Sequence, residues 1–263
     1  MGLPLSVQAQ LFTMGEKCRE LYDQGKEALE SEAYSRALEI LDQFSGDCKT
    51  KDAKRVVAAA KAEAYNGLGE YEKAIAEADE ALRLTKNRSL GGHFQKGVAL
   101  HRMGDERGAQ AELNEVIALT EKNQNTQERA SNYALMAALY DRQFNSRDTA
   151  LLYLDKAMEM DPTNTHFWIQ KGDMYAGTHE YDKAFEAYDQ AVAMGRTDLD
   201  MYITLSNTGL KMLEHKYGTT KAQELRGKMT EAEKNRVCPD LQKALELGWN
   251  QMDKDMFAAL VCK

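Results

Sequence analysis

Only three prolines occur in 263 residues, Pro4, Pro162 and Pro239. A chain with so few obligatory helix stops can run in long helical stretches. Its plentiful Ala, Leu, Glu, Lys and Met are the residues that lose least side-chain freedom in a helix. Long apolar runs are missing too: none approaches the ~20 residues needed to cross a bilayer, so no membrane span is expected. Dense Lys/Arg runs are absent, and 34 basic residues against 42 acidic ones leave a formal net charge of −8. A chain of that sign repels polyphosphate, which argues against nucleic acid as a partner.

Motifs for chemistry are equally scarce. His93, His101, His166, His179 and His215 are scattered, with none of the i, i+4 spacing that sets two imidazoles on one helix face for a metal. Gly91-Gly92 lacks the Lys-Ser/Thr that completes a phosphate loop, and no serine has the setting of a nucleophile elbow. No Cys-x-x-Cys spacing suggests zinc. Catalytic, cofactor and metal residues are therefore all expected to be none, and the expectation is a chain that is not an enzyme.

What is present is a recurrence. A small residue is followed twelve positions later by alanine, then by apolar residues four and seven beyond that. Gly25, Ala37, Leu41 and Phe44 form one instance; Ala62, Ala74, Ala78 and Ala81 a second; Gly97, Ala109, Leu113 and Val116 a third. Gly172, Ala184, Tyr188 and Ala191 give another, and Ala137, Ala150, Leu154 and Ala157 fit with one inserted residue, placed in the turn 144–147. Two antiparallel helices reach the 8–10 Å separation of close packing only where facing residues are small. The small residue and the alanine are read as that contact, and the residues at +4 and +7 as turned toward the next hairpin. Turn signals fall between the two helices, at Gly69, at Gly104 and at His179-Glu180.

The stretch Trp168, Gly172, Tyr175, Tyr181, Ala184, Tyr188, Ala191 resembles the tetratricopeptide repeat, with Lys171 where leucine is usual. The resemblance implies an all-α, right-handed superhelical solenoid of antiparallel helical hairpins. The key alanines at 37, 74, 109, 150 and 184 are spaced unevenly about the family period of 34 residues. The extra residues are expected in the polar loops 45–54 and 122–127. Residues 15–198 are thus read as five hairpins. Residues 199–263 are read as an atypical sixth repeat plus capping helices: 201–215, a charged helix 221–236, and a last pair, 239–247 and 252–261. Residues 1–14 are read as a tail in which Val7 and Ala9 match the small positions of a signal-peptidase cut. A plain tail on a cytoplasmic protein is the alternative.

Cys18 opens the first helix of the first hairpin and Cys48 follows its second; Cys238 and Cys262 bracket the last pair. The start of one helix and the end of the next share one end of a hairpin, so each pair is placed for a disulfide. The segment from Cys238-Pro239 to Cys262 also resembles the cysteine-bracketed ending of extracytoplasmic bacterial repeat proteins. Four reduced thiols are the alternative, and would fit a cytoplasmic chain.

By family geometry, the first helix of each hairpin lines a concave wall. The wall positions are Tyr22 and Lys26, Glu63 and Asn66, then Phe94, His101 and Arg102, then Asp141, then Ile169 and Asp173. The Lys/Asn pair with which some relatives grip a terminal carboxylate is absent, since Tyr22, Lys26, Ala59 and Glu63 stand there. The reading is a protein–protein interaction scaffold, periplasmic or secreted, that holds a peptide or partner protein and takes part in an outer-membrane-associated complex. A cytoplasmic peptide-binding adaptor and the regulatory subunit of an enzyme are the alternatives.

Overall fold

The structure, a computed structural model, describes residues 14–262. Residues 1–13, which carry the Val7/Ala9 pattern and nearly all of the expected tail, lie outside them. The described residues form fourteen helices and no strand. They fall into two compact units divided between Ser146 and Arg147. The first holds α1 (Glu16–Glu30), α2 (Tyr34–Asp47), α3 (Lys51–Gly67), α4 (Tyr71–Thr85), α5 (Leu90–Arg102), α6 (Glu106–Lys122) and α7 (Thr126–Arg142). The second holds α8 (Arg147–Met160), α9 (Thr165–Ala176), α10 (Tyr181–Ala193), α11 (Leu199–Tyr217), α12 (Ala222–Leu225), α13 (Glu231–Glu246) and α14 (Met252–Val261).

In the first unit α1 packs on α2, α3 on α4 and α5 on α6, so consecutive helices pair as hairpins. The first helices also touch one another, α1 with α3 and α3 with α5, and make an inner layer. The small-residue pattern marks the hairpin contacts. Ala37, Leu41, Phe44, Ala62, Ala74, Ala78 and Ala81 are all fully buried. A Cβ added to Gly25 would sit 2.9 Å from Leu41, and one on Gly97 would sit 3.4 Å from the Ala109 carbonyl. In the second unit a Cβ on Gly172 would lie 2.4 Å from the Tyr188 ring. In these three hairpins the residue at +4 therefore fills the gap left by the glycine of its own hairpin, while Leu41 also shares a core cluster with Ala53 and Val57 of the next one. The reason is steric: a missing side chain on one helix leaves room that the facing helix fills with a large one.

The intra-hairpin turns share one geometry. Glu32, Gly69, Gly104 and His179, each seven residues after the small one, have φ of 59°, 75°, 84° and 64°. The following N–H closes on the carbonyl five residues back: Ala33 to Ala28, Glu70 to Tyr65, Asp105 to Leu100 and Glu180 to Tyr175. This is the left-handed helix stop that glycine adopts without strain.

The extra residues of the irregular repeats do not lie in loops. Only 48–50 separate α2 from α3, and only 123–125 separate α6 from α7; α3, α6 and α7 are each 17 residues long instead. Thr50 and Asn125 accept hydrogen bonds from the first-turn N–H groups, so each helix starts at once.

The last segment also departs from expectation. Residues 221–236 are not one helix, and no break precedes Pro239. A four-residue turn of helix, α12, is followed by Gly227 at φ 79°, and α13 then runs through Pro239. Proline withholds one N–H from the carbonyl of Asn235; both residues are exposed, so water takes its place. Cys238 accordingly sits inside α13, not at its start. A Cβ on Gly209 would lie 2.9 Å from Val237, so α11 and α13 repeat the glycine-to-bulky contact across a longer connection.

Candidate functional site

The inner layer of the first unit carries a groove enclosing about 1020 Å³. Leu29, Phe94 and Val98 are buried in its floor, joined by half-buried Tyr34, Tyr71 and Leu139. Glu63 and Asn66 enter from α3, Gln95 and Arg102 from α5, and Arg142 and Gln143 from α7 and its end. Glu30 and Glu32 stand at the end of α1. The C-terminal ends of first helices thus converge here, because the turns after α1, α3 and α5 lie at one end of the hairpins.

Of the wall positions read from the sequence, the structure brings Glu63, Asn66, Phe94 and Arg102 together in this groove. Tyr22 lies in the core instead, tilted against Phe44 at 5.9 Å; burial, then Glu63 and Asp23, push its hydroxyl well above the ordinary tyrosine range. Lys26 pairs with Glu63 at 3.6 Å. His101 packs on Phe144 at 4.5 Å, with Nδ1 3.0 Å from Glu106. Asp141 is half-buried on α7 and has a partner of its own. Ile169 and Asp173 belong to the second unit. There Ile169 packs on the cluster around Tyr181 and Phe185, and Asp173 accepts a 2.7 Å bond from the Tyr188 hydroxyl.

Sequence reasoning missed Glu30, Glu32, Tyr34, Tyr71 and Arg142. The first two stand at the helix stop, and the tyrosines open second helices, which the wall rule passes over. Tyr34 lies against Gly67, where a Cβ would come within 2.4 Å of its ring. Burial, then Glu32 and Glu63, raise its hydroxyl, and Arg142 partly offsets them, so charges of both signs act on one point.

Apart from Glu63, which Lys26 holds, the charged groups lining the groove enter no ion pair among the described residues. Elsewhere in the first unit Lys17 pairs with Asp47 at 2.8 Å, Lys61 with Asp42 at 2.6 Å, and Lys96 with both Asp79 and Glu112. Glu30, Glu32 and Arg142 enter no ion pair among the described residues. Arg102 donates only to the neutral Gln143 Oε1, at 3.1 Å. Asn66 Nδ2 donates to the backbone oxygen and Oε1 of Gln95, both at 2.9 Å, which ties α3 to α5 beneath the opening.

Other titratable clusters are closed on themselves. His93 is buried, with Nδ1 2.6 Å from Glu112 and Nε2 3.2 Å from the Asn87 carbonyl, and Glu112 is also met by Lys96. His179 and His215 stack at 4.2 Å on the surface of the second unit. No group of three or more His, Cys, Asp or Glu placed for a metal occurs among the described residues. No helix there is long and apolar enough to cross a membrane.

The geometry defines a helical-hairpin repeat protein with a lined groove on its inner layer. Residues 57–88, which span most of α3 and all of α4, match the family model of the tetratricopeptide repeat. The chain is of tetratricopeptide-repeat type, and repeats of this kind serve protein–protein interaction. The general transcriptional corepressor ssn6 of Schizosaccharomyces pombe is 43% identical over 49 residues, which are 19% of this chain and 4% of that protein. Among solved structures, PilF of Pseudomonas aeruginosa is 16% identical with a TM-score of 0.42, covering 93% of this chain and 97% of that one. YrrB, described as a TPR protein with an unusual peptide-binding site, is 16% identical with a TM-score of 0.41, over 76% and 89%. MamA of Desulfovibrio magneticus RS-1 is 21% identical with a TM-score of 0.37, over 70% and 98%. At such values these likenesses carry no inference about function.

Proposed function

We propose that the chain is an exported scaffold, periplasmic or secreted, that holds an extended peptide or a segment of a partner protein in the groove of its first unit. The groove itself carries the reading. It is apolar along its floor, polar at its rim, and stands at the upper end of the ~300–1,000 Å³ typical of ligand sites. Such a surface suits a chain laid across successive helices.

Export is supported by the cysteines. Cys18 and Cys48 stand at bonding distance with Cα atoms 5.9 Å apart, and Cys238 and Cys262 likewise at 5.5 Å. Disulfides persist in oxidising compartments. Work at the outer membrane as one part of a larger assembly fits the same reading.

Affinity capture of the tagged protein from its own host, after mild crosslinking, tests the function. One or two stoichiometric proteins are expected, and they should be lost when Tyr71→Ser, Arg102→Glu and Leu139→Ser are combined. A partner retained by that variant would place binding outside the groove. Thiol mapping of the same material tests export: four free cysteines would leave the cytoplasmic adaptor.

A further inference from the structure

Two short basic stretches meet at one end of the α3/α4 hairpin. Residues 49–55, which lead into α3, hold Lys49, Lys51, Lys54 and Arg55. Residues 83–88, which lead out of α4, hold Arg83, Lys86 and Arg88. The two helices pack as an antiparallel pair, so both stretches stand at the end remote from Gly69 and the groove. Arg55 Nε donates across to the Leu84 carbonyl at 3.4 Å. Arg83, with Lys54 acting from α3, holds the Glu80 carboxyl below its usual range. These stretches contain seven basic residues and one acid, Asp52, in a chain whose 42 acidic residues outnumber its 34 basic ones. Asp52 bridges Arg55 at 3.2 Å, Glu80 bridges Arg83 at 2.6 Å, and Asp47 beside them is held by Lys17. The fold thus gathers at one end a positive charge that the chain as a whole does not have.

The make-up of this end says what it meets. Four of the seven basic residues are lysines, whose ammonium is a compact, hydrated charge and not a fork fitted to one partner. Neither stretch holds an aromatic residue, and none of the exposed large apolar side chains among the described residues falls in them. A protein interface is centred on such anchors and is poor in lysine. Single-stranded nucleic acid needs aromatic faces for its bases. A layer of anionic lipid headgroups needs neither, since its surface potential alone attracts clustered Lys and Arg. We infer that this end of the hairpin rests on an anionic lipid surface. The contact is peripheral and electrostatic, and it leaves the groove at the opposite end open. It is a second surface, independent of what the groove holds.

Cosedimentation of the full chain with lipid vesicles tests this. At low salt the chain is expected to pellet with vesicles of equal parts phosphatidylglycerol and phosphatidylcholine, and not with phosphatidylcholine alone. Binding should weaken as salt is added. Each Lys or Arg near such a surface contributes about fivefold to partitioning. Lys51→Gln/Lys54→Gln/Lys86→Gln/Arg88→Gln should therefore bind at least about a hundredfold more weakly. All four side chains are exposed, and circular dichroism checks the fold. Arg107→Gln/Lys122→Gln/Arg226→Gln/Lys228→Gln removes the same charge from exposed positions elsewhere and should bind nearly as the parent does. Equal losses in the two variants would mean that net charge acts and not this end, and would overturn the assignment. So would pelleting with both kinds of vesicle or with neither. Displacement by inorganic phosphate at constant ionic strength would make the end a site for the free ion instead of a lipid surface. Binding of polyglutamate or of a DNA duplex in place of the vesicles would likewise overturn the lipid reading and give this end to that partner.

Discussion

At the scale of single residues the fold rests on where side chains are missing. Gly172 faces the ring of Tyr188, a Cβ there would come within 2.4 Å of it, and the ring is itself fully buried and anchored by its hydroxyl on Asp173. Gly172→Ala is expected to lower stability by about 1–3 kcal/mol, because Tyr188 cannot move aside without breaking that bond. Gly46, inside α2, has nothing within 4 Å of the same position and is exposed. Gly46→Ala should therefore raise stability, by up to about 1 kcal/mol, through reduced freedom of the unfolded chain. Denaturant unfolding of the two variants checks the pair, and a gain for Gly172→Ala would break the packing account. The small-residue register was readable in the sequence because it is a local steric rule, repeating at fixed intervals within each hairpin. Tyr22 and His93 were not readable. Tyr22 is turned into the core, and His93 meets a carboxylate 19 residues away on the neighbouring helix, a partner that no spacing within one helix specifies.

At the scale of elements, helix starts and stops follow side chains that can be recognised, while the route of the chain between them is decided by packing. Pro162 follows the end of α8, as its missing N–H requires, but Pro239 sits within α13 because its exposed side loses only a solvated bond. The start of α13 is fixed by Thr230 and Glu233, each bonding the other's backbone N–H. Burial raises the Glu233 carboxyl. Bonds from Lys216 Nζ at 2.6 Å, the Thr230 N–H at 2.7 Å, and the Tyr217 and Thr230 hydroxyls together outweigh it and bring the group down to about 2. A carboxyl held below its unfolded value near 4.5 adds stability above that value, and loses it as pH falls through the interval down to about 2. Glu233→Gln should accordingly be less stable than the parent at pH 7, with the gap narrowing between pH 4.5 and 2. Thermal unfolding across that range measures it, and a gap that widens on acidification would contradict the assignment. The charged stretch 221–236 had looked like one helix, since its Lys, Glu and Ala favour helix everywhere. Gly227 in the left-handed region and the Thr230 cap divide it.

At the scale of the whole molecule, a repeat array draws its stability from each hairpin and from the faces it shares with its neighbours. The first and last described hairpin-like pairs, α1/α2 and α13/α14, have a packed neighbour on fewer sides than α3/α4, and these two pairs carry the cysteines. Cys18 and Cys48 are 30 residues apart, and Cys238 and Cys262 are 24 apart. Loop-closure entropy varies only with the logarithm of that length, so each bond, when formed, should stabilise its pair by roughly 3 kcal/mol. The effect is expected to be regional. With the protein oxidised, amides of α1, α2, α13 and α14 should exchange with solvent nearly as slowly as those of α4 and α5. With the disulfides reduced, or in Cys18→Ser/Cys48→Ser and Cys238→Ser/Cys262→Ser variants, exchange should accelerate in the pair that lost its bond while α4 and α5 keep their protection. Hydrogen exchange read by mass spectrometry resolves these segments. Acceleration spread evenly over the chain would mean that the array unfolds as one cooperative body and that the cysteines brace it globally, whereas unchanged exchange at both pairs would mean that packing alone holds them.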